Sequence, residues 1–111
     1  MKPLAVYTTV GSVDEARRIA RTAVERGLAA CAQLSTIESF YVWKGALENE
    51  PEVRILFKTT DAAYGELERT IRELHSYELP AIHAVPIERI HEPYREWIAD
   101  NSGGAAGPRG S

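Results

Sequence analysis

The chain has 111 residues, of which 44% are hydrophobic and 26% are charged, a composition typical of one soluble globular domain. Its net charge is −3, and its basic residues are mixed with acidic ones, so we expect no nucleic-acid-binding surface. The lone cysteine, Cys31, excludes an intramolecular disulfide, and without a long apolar run or a signal-peptide pattern the sequence predicts a cytoplasmic protein with no membrane span.

The first strand and the first helix are predicted from residues 4–26. Residues 4–10 form a short apolar and β-branched run typical of a buried strand, which ends at Gly11. Ser12 and Glu15 have the spacing of a capping box, in which each side chain bonds to the backbone amide of the other residue. Small apolar residues recur behind them at helical spacing, and Gly27 ends the predicted helix.

The next segment, residues 27–45, contains no proline and no internal glycine, and its second half holds Phe40, Tyr41, Val42 and Trp43. Such residues predict a single strand of about 16 residues, which would extend about 50 Å. A domain of this size is only about 30 Å across. We therefore expect the strand to project beyond its own domain and to be covered by another chain, because a long free edge otherwise promotes aggregation.

The second half of the chain predicts a return strand, a helix, a fourth strand and a short helix. Residues 45–51 are rich in turn formers, and residues 52–60 alternate between apolar and charged side chains, as in a strand with one buried face. An apolar stripe predicts a helix that ends near His75, residues 81–87 predict a strand, and Pro93 opens the last helix. Residues 1–101 thus form one predicted domain, and residues 102–111 form a flexible tail.

This order of elements predicts an α+β fold of the ferredoxin-like, split βαβ type. Its antiparallel sheet would carry the helices on one face and extend into a long β-hairpin. The opposite sheet face is then uncovered, so both this face and the projecting hairpin favour oligomerisation. A strand that contacts a neighbour's sheet makes a heterologous contact, and heterologous contacts can close into rings. We expect a ring of three copies, a homotrimer, partly on the resemblance below.

Five motifs carry that resemblance: GLAACAQL, SFYVWKG, LFKTT, ELHSYELPAIHAVPI and YREWI. They occur in this order over about residues 4–100, and together they resemble the CutA divalent-cation tolerance family. The resemblance implies a thermostable, cytoplasmic homotrimer of ferredoxin-like subunits that takes part in the response to copper and other divalent metal ions. We therefore predict a trimeric metal-ion-binding protein that is not an enzyme. The sequence contains neither the Gly-x-Ser-x-Gly motif nor a phosphate-binding glycine loop.

Where copper has been assigned in this family, the ligands are a cysteine at the end of the first strand and two adjacent histidines. The resemblance places these at Thr8, Leu74 and His75, so that only His75 is retained. Cys31 matches the family's Ala-Ala-Cys, whereas His83 is particular to this chain. We take His75, Cys31 and His83 as candidate ligands for copper or another divalent ion, in a weak or shared site because their spacing matches no metal motif.

Each candidate ligand also has a structural alternative. Cys31 suits a tightly packed core, where a free cysteine behaves as a small hydrophobe. His75 suits a cap or an interface hydrogen bond at a helix C-terminus, and His83 suits a structural place in a strand.

A second hypothesis is a small-ligand sensor that resembles the trimeric P-II-like signalling proteins, which place ligands in clefts between subunits. The candidate pocket residues are Trp43, Lys58, Tyr77 and Glu78, with Lys58 and Tyr77 as contacts to a small anionic ligand or nucleotide. The alternative for the aromatic residues is packing in the core or in an interface, and for Lys58 it is an interface salt bridge. A third hypothesis is a structural trimer whose partners carry the function.

Overall fold

The computed structural model describes residues 2–103, and it confirms the predicted order of strands and helices. The elements are β1 (Pro3–Val10), α1 (Val13–Glu25), β2 (Cys31–Trp43), β3 (Ala46–Thr60), α2 (Asp61–Leu74), β4 (Ile82–Pro86) and α3 (Glu92–Asp100). Most of the predicted tail, residues 104–111, lies outside the described residues. Ser102, the first residue of that predicted tail, is buried, and its hydroxyl donates to the carbonyl oxygen of Ile98.

The four strands form one antiparallel sheet in the order β2-β3-β1-β4, which confirms the α+β class. β1 lies between β3 and β4, so that Val6 pairs with Phe57 on one side and with Ala84 on the other. Strands β2 and β4 are the edges. The sheet therefore has two middle strands, which hold the core, and two edge strands with free backbone groups.

The core lies between one face of this sheet and the helices α1 and α2. Alternate residues of the middle strands, such as Val6, Ile55 and Phe57, point to this face and are fully buried. Ile19 of α1 and Leu67 of α2 pack against them from above. The alternation of residues 53–57 and the apolar stripes of both helices thus place their side chains in a common core, as the sequence predicts.

Helix α3 lies on the other face of the sheet. Lys58 follows Phe57 and points away from the core, and its Nζ lies 3.3 Å from the hydroxyl oxygen of Tyr94 in α3. The helix packs over β3 and β1 and buries Ile98 completely. The prediction that all helices share one face is therefore wrong for α3, which covers part of the face that we expected to be open.

The hairpin differs from the prediction at both of its ends. The segment predicted as one strand of about 16 residues begins at residue 27, whereas β2 begins at Cys31 and is 13 residues long. Just before β2, the amide of Ala30 already donates a hydrogen bond to the carbonyl oxygen of Lys58. Its turn consists only of Lys44 and Gly45, which both have positive φ angles, 52° and 83°, as in a two-residue type I′ turn. The turn predicted at residues 45–51 is therefore wrong, because these residues already belong to β3.

Pro51 is the residue that made this segment look like a turn. It lies within β3, opposite Glu38 of β2. The pairing of β3 with β1 ends at Val53, so β3 has a free side at Pro51. A proline is tolerated there because its missing N–H removes no hydrogen bond from the sheet.

The β2–β3 hairpin projects from the body of the protein, as predicted. β2 pairs with β3 from Cys31 to Trp43, whereas β1 accompanies β3 over only its last eight residues, and the molecule measures 48 × 27 × 20 Å. The projecting part exposes apolar side chains: Phe40 is 66% exposed, Val42 71% and Leu47 74%. Within residues 2–103, no helix combines the length and the apolar character needed to span a membrane.

Candidate functional site

A cleft of about 840 Å³ lies between the projecting hairpin and the segment that follows α2. Both strands of the hairpin form one wall, and residues 76–79 with Ala81 form the other. The side chains that give the cleft its chemistry are aromatic or acidic: Tyr41, Trp43, Tyr77, Glu50, Glu52 and Glu78. The cleft therefore combines apolar ring surfaces with an excess of negative charge.

The wall after α2 is held in place by Glu15 of α1. One carboxylate oxygen of Glu15 accepts a hydrogen bond from the amide of Ser76 at 2.8 Å, and the other accepts from the Ser76 hydroxyl at 3.0 Å. The predicted capping box is therefore only half correct. Ser12 accepts from the amide of Glu15 at 3.1 Å, but the Glu15 side chain bonds to Ser76 and not to Ser12. A single buried carboxylate thus ties the start of α1 to the cleft wall.

His75 is enclosed directly behind this wall. Its side chain is 0% exposed, and its Nε2 lies 2.8 Å from the carbonyl oxygen of Thr9. Its Nδ1 accepts a hydrogen bond from the amide of Tyr77 at 3.2 Å. Because a carbonyl oxygen only accepts, this pattern assigns the proton to Nε2. Both ring nitrogens are engaged within the protein, so His75 positions the turn and has no free nitrogen for a metal ion.

Two tyrosine–glutamate pairs lie at the cleft: the Tyr77–Glu52 pair crosses it, and the Tyr41–Glu50 pair lies within the hairpin wall. Tyr77 donates to Oε2 of Glu52 at 2.7 Å, and Tyr41 donates to Oε1 of Glu50 at 2.9 Å. Burial and then the bond to Glu52 raise the pKa of Tyr77, whereas the hydrogen bond to Glu50 is the main cause that raises the pKa of Tyr41 to about 12. Both hydroxyls therefore stay protonated at neutral pH and keep donating to their carboxylates.

The mouth of the cleft is bridged by Lys44 of the hairpin turn. Its Nζ lies 3.9 Å from Oε1 of Glu78 and 5.6 Å from the ring centroid of Trp43. Both partners of this ion pair are largely exposed, so the pair contributes little to stability. Three of the four predicted pocket residues, Trp43, Tyr77 and Glu78, thus line one cleft.

Lys58, the fourth predicted pocket residue, lies elsewhere. Its Nζ is 3.3 Å from the hydroxyl of Tyr94 and 3.4 Å from the side-chain oxygen of Gln33, on the sheet face that α3 partly covers. Lys58 therefore does not supply the cleft with the positive charge that an anionic ligand or a nucleotide would need.

The three predicted metal ligands are far apart in one protomer. Cys31 lies on the edge strand β2, opposite Lys58, and His83 lies on the other edge strand, β4, where it stacks on Tyr7 at 5.1 Å. Three strand spacings, roughly 14 Å, separate these edges. His75 lies behind the cleft wall, with its Nε2 bonded to the carbonyl oxygen of Thr9. In the part of the chain from residue 2 to residue 103, no group of three or more histidine, cysteine or acidic side chains could hold a metal ion, so the donors do not fit a metal site within one protomer.

Comparisons with known proteins decide the family. The model of the CutA1 divalent ion tolerance protein family matches residues 4–101. This chain belongs to the CutA1 family. It is 37% identical over 99 residues to the divalent-cation tolerance protein CutA of Thermococcus kodakarensis, a match that covers 89% of this chain and 95% of the relative.

Solved CutA1 structures have the same fold. The divalent cation tolerance protein of Thermus thermophilus superposes with a TM-score of 0.88 at 36% identity, covering 91% of this chain and 99% of the other. CutA1 from a psychrotrophic Shewanella species, described as a stable protein, gives a TM-score of 0.87 at 37% identity and covers 92% and 96% of the two chains. The resemblance inferred from the five motifs is therefore confirmed.

Sequence reasoning missed the acidic residues that organise this CutA1 cleft. Glu15 was interpreted as part of a helix cap, and Glu52 was interpreted only as the start of a strand. The one available signal was the alternation of Glu48, Glu50 and Glu52, which places three acids on the same face of β3. That spacing indicates an acidic strand face but not the tyrosines that meet it.

Proposed function

We propose that this chain is a non-enzymatic divalent-ion tolerance protein of the cytoplasm that works as a homotrimer of ferredoxin-like subunits. The names of its relatives support the tolerance role, and the strand order β2-β3-β1-β4 with two strand–helix–strand units supports the ferredoxin-like plan. The single free cysteine suits a reducing compartment. The description of the Shewanella relative as a stable protein supports high stability of this chain.

The observation that carries the assembly is the exposed hairpin. Phe40, Val42 and Leu47 each expose about two thirds or more of their surface on a two-stranded ribbon that leaves the body of the domain. Exposed apolar groups of this kind mark contact surfaces, and an isolated two-stranded hairpin is at best marginally stable in water. A hairpin that packs on the next copy makes a heterologous contact, and such contacts can close into a ring. The resemblance to the CutA1 family favours three copies.

The metal ion is held between protomers in this proposal. Cys31 and His83 lie on the same sheet face at opposite edge strands, so a ring that brings the β2 edge of one copy to the β4 edge of the next would bring these donors together. A thiolate and an imidazole suit copper or zinc. His75 is left out of this site because both of its ring nitrogens are engaged.

The experiment tests assembly and metal binding in the same samples. Sedimentation velocity at micromolar concentration should give three times the mass of the chain, and Val42→Glu on the hairpin should reduce it to one. Val24→Glu, which replaces an exposed valine of α1 by the same acid, is the matched control and should leave the mass unchanged. A wild-type protein that sediments as a single chain at this concentration contradicts the proposed assembly.

Calorimetric titration with Cu²⁺ then tests the shared site. We expect Cys31→Ser, His83→Ala and the dissociated Val42→Glu protein to lose most of the binding, because each removes one donor or the contact that joins them. His91→Ala, which changes an exposed histidine in the loop before α3, is the control and should bind as the wild type does. Equal copper affinity in the wild type and in both donor variants would rule out this assignment.

A further inference from the structure

The cleft between the hairpin and residues 76–81 has a chemistry that the tolerance role does not use. We propose that it binds a small organic cation, one that carries an ammonium group next to an apolar portion. The residues that line the cleft belong to one protomer, and they do not include Cys31 or His83, the donors of the proposed copper site. Its volume, about 840 Å³, is in the range of small-molecule sites.

The cleft pairs aromatic rings with negative charge. Tyr41, Trp43 and Tyr77 line the cleft together with Glu50 and other carboxylates. The face of an aromatic ring attracts a cation, and it attracts a weakly hydrated organic cation in particular because little hydration is lost on contact. Carboxylates near such rings add charge attraction, and they disfavour the anionic ligand or nucleotide of the sensor hypothesis.

Glu52 brings a largely buried carboxylate to the cleft. This side chain lines the cleft, yet the residue is only 8% exposed. Its Oε2 accepts a hydrogen bond from the Tyr77 hydroxyl at 2.7 Å. A carboxylate that is largely withdrawn from water attracts a ligand ammonium group more strongly than an exposed carboxylate does.

The chain itself places an ammonium group at the mouth of the cleft. Lys44 Nζ lies between the ring of Trp43 and the carboxylate of Glu78, at 5.6 Å and 3.9 Å. This contact shows that the local geometry accepts an ammonium group between a ring and an acid. Because the Lys44 side chain is 71% exposed, a ligand can displace it at little cost.

A metal ion is a poorer occupant than an organic cation. A divalent ion needs several oxygen ligands that converge on one point, and within residues 2–103 no three acidic, histidine or cysteine side chains do so. The carboxylates are instead spread along the hairpin and the facing segment, and Glu50 and Glu52 each lie beside a tyrosine. Such a spread matches an extended organic cation better than a compact metal ion.

The test is calorimetric titration of the full chain with tetramethylammonium chloride and with spermidine, at constant ionic strength. We expect saturable binding of at least one of these probes at millimolar concentration or below, and none of sodium acetate. MgCl₂ and CaCl₂ are titrated in the same way, to test whether the cleft binds metal ions instead. Binding of the metal ions without binding of either organic cation, or a response that sodium chloride reproduces, would overturn the proposal.

Variants locate the binding within the cleft. Trp43→Leu should weaken affinity about three- to tenfold through loss of the ring face, and Glu52→Gln should weaken it about tenfold. Glu50→Gln, a second acid variant on the exposed part of the hairpin, covers the case in which Glu52→Gln does not fold. Lys44→Gln should instead raise affinity about two- to fivefold, because it removes the competing ammonium group.

Matched controls use the same chemistry outside the cleft. Trp97→Phe changes the other tryptophan, and Glu92→Gln changes an acid at the start of α3. Both should bind the probes as the wild type does. If the controls weaken binding as much as Trp43→Leu and Glu50→Gln, or if Lys44→Gln weakens it, the bound cation is not in this cleft and the proposal is wrong.

Discussion

Two phenylalanines show how the body of this protein differs from its hairpin. Phe57 lies where β3 is paired on both sides, and it is 0% exposed below α1 and α2. Phe40 lies where the sheet has only two strands, and it is 66% exposed. The same side chain therefore stabilises the protomer in the body, whereas on the hairpin it provides a surface for another molecule.

The largest expected effect tests this difference directly. Phe57→Ala should lower the free energy of unfolding by about 3–5 kcal/mol, because it leaves a cavity in a fully buried site. Phe40→Ala should change it by less than about 0.5 kcal/mol, since the ring is mostly in solvent. Urea denaturation, with both changes made in the Val42→Glu protein so that assembly does not contribute, gives the comparison. Similar losses in the two variants would mean that the hairpin is part of the protomer's own core.

A smaller difference in the free energy of unfolding is expected between variants of the two tyrosine–glutamate pairs. Tyr77→Phe should lower the free energy of unfolding by about 1–3 kcal/mol, because it removes the donor to a carboxylate that is only 8% exposed. Tyr41→Phe removes the same kind of bond to Glu50, which is exposed, and should leave stability nearly unchanged because water replaces the hydroxyl. Urea denaturation of both variants is the measurement. An equal cost at both sites would show that burial of Glu52 is not what makes its pair important.

The body and the hairpin also differ in how well the sequence predicts their structure. The strands and helices of the body follow from alternation and helical periodicity, because one face of each is buried, as residues 53–57 illustrate. The hairpin beyond Val53 has no face in the core of the protomer, so its polar residues and Pro51 looked like a turn. Where neither face of a strand is buried, hydrophobic periodicity cannot distinguish a solvent-exposed strand from a loop.

The candidate site was predicted only in part, for a related reason. Trp43, Tyr77 and Glu78 lie in motifs that carry the family resemblance, and the structure brings them together. The bonds of Glu15 to Ser76 and of Tyr77 to Glu52 join residues that are 61 and 25 positions apart, and such contacts leave no local pattern. His75 was placed correctly at the end of α2, but only the fold shows that its ring is enclosed.

The smallest expected effect is a shift in the pKa of Tyr41, which absorbance can follow. The hydrogen bond to Glu50 raises the pKa of Tyr41 to about 12. The stability that this bond contributes should therefore be fully present below the pKa of tyrosine in the unfolded chain, near 10, and should be lost as the pH rises toward 12. Alkaline absorbance titration, taken as the difference between wild type and Tyr41→Phe, isolates this group. Glu50→Gln should return its pKa toward 10, and an unchanged titration curve in that variant would show that Glu50 is not the cause.

Pro51 has a consequence for how far self-association can proceed. Residues 46–52 of β3 have no strand neighbour on the side away from β2, which makes this stretch a template on which fibrils could grow. Because Pro51 has no N–H group, this edge offers one backbone hydrogen-bond donor fewer to an added strand. The acidic residues at positions 48, 50 and 52 also repel the same strand of a second copy. The ribbon is thus protected against open-ended polymerisation, while its apolar tip stays available for a contact of limited size.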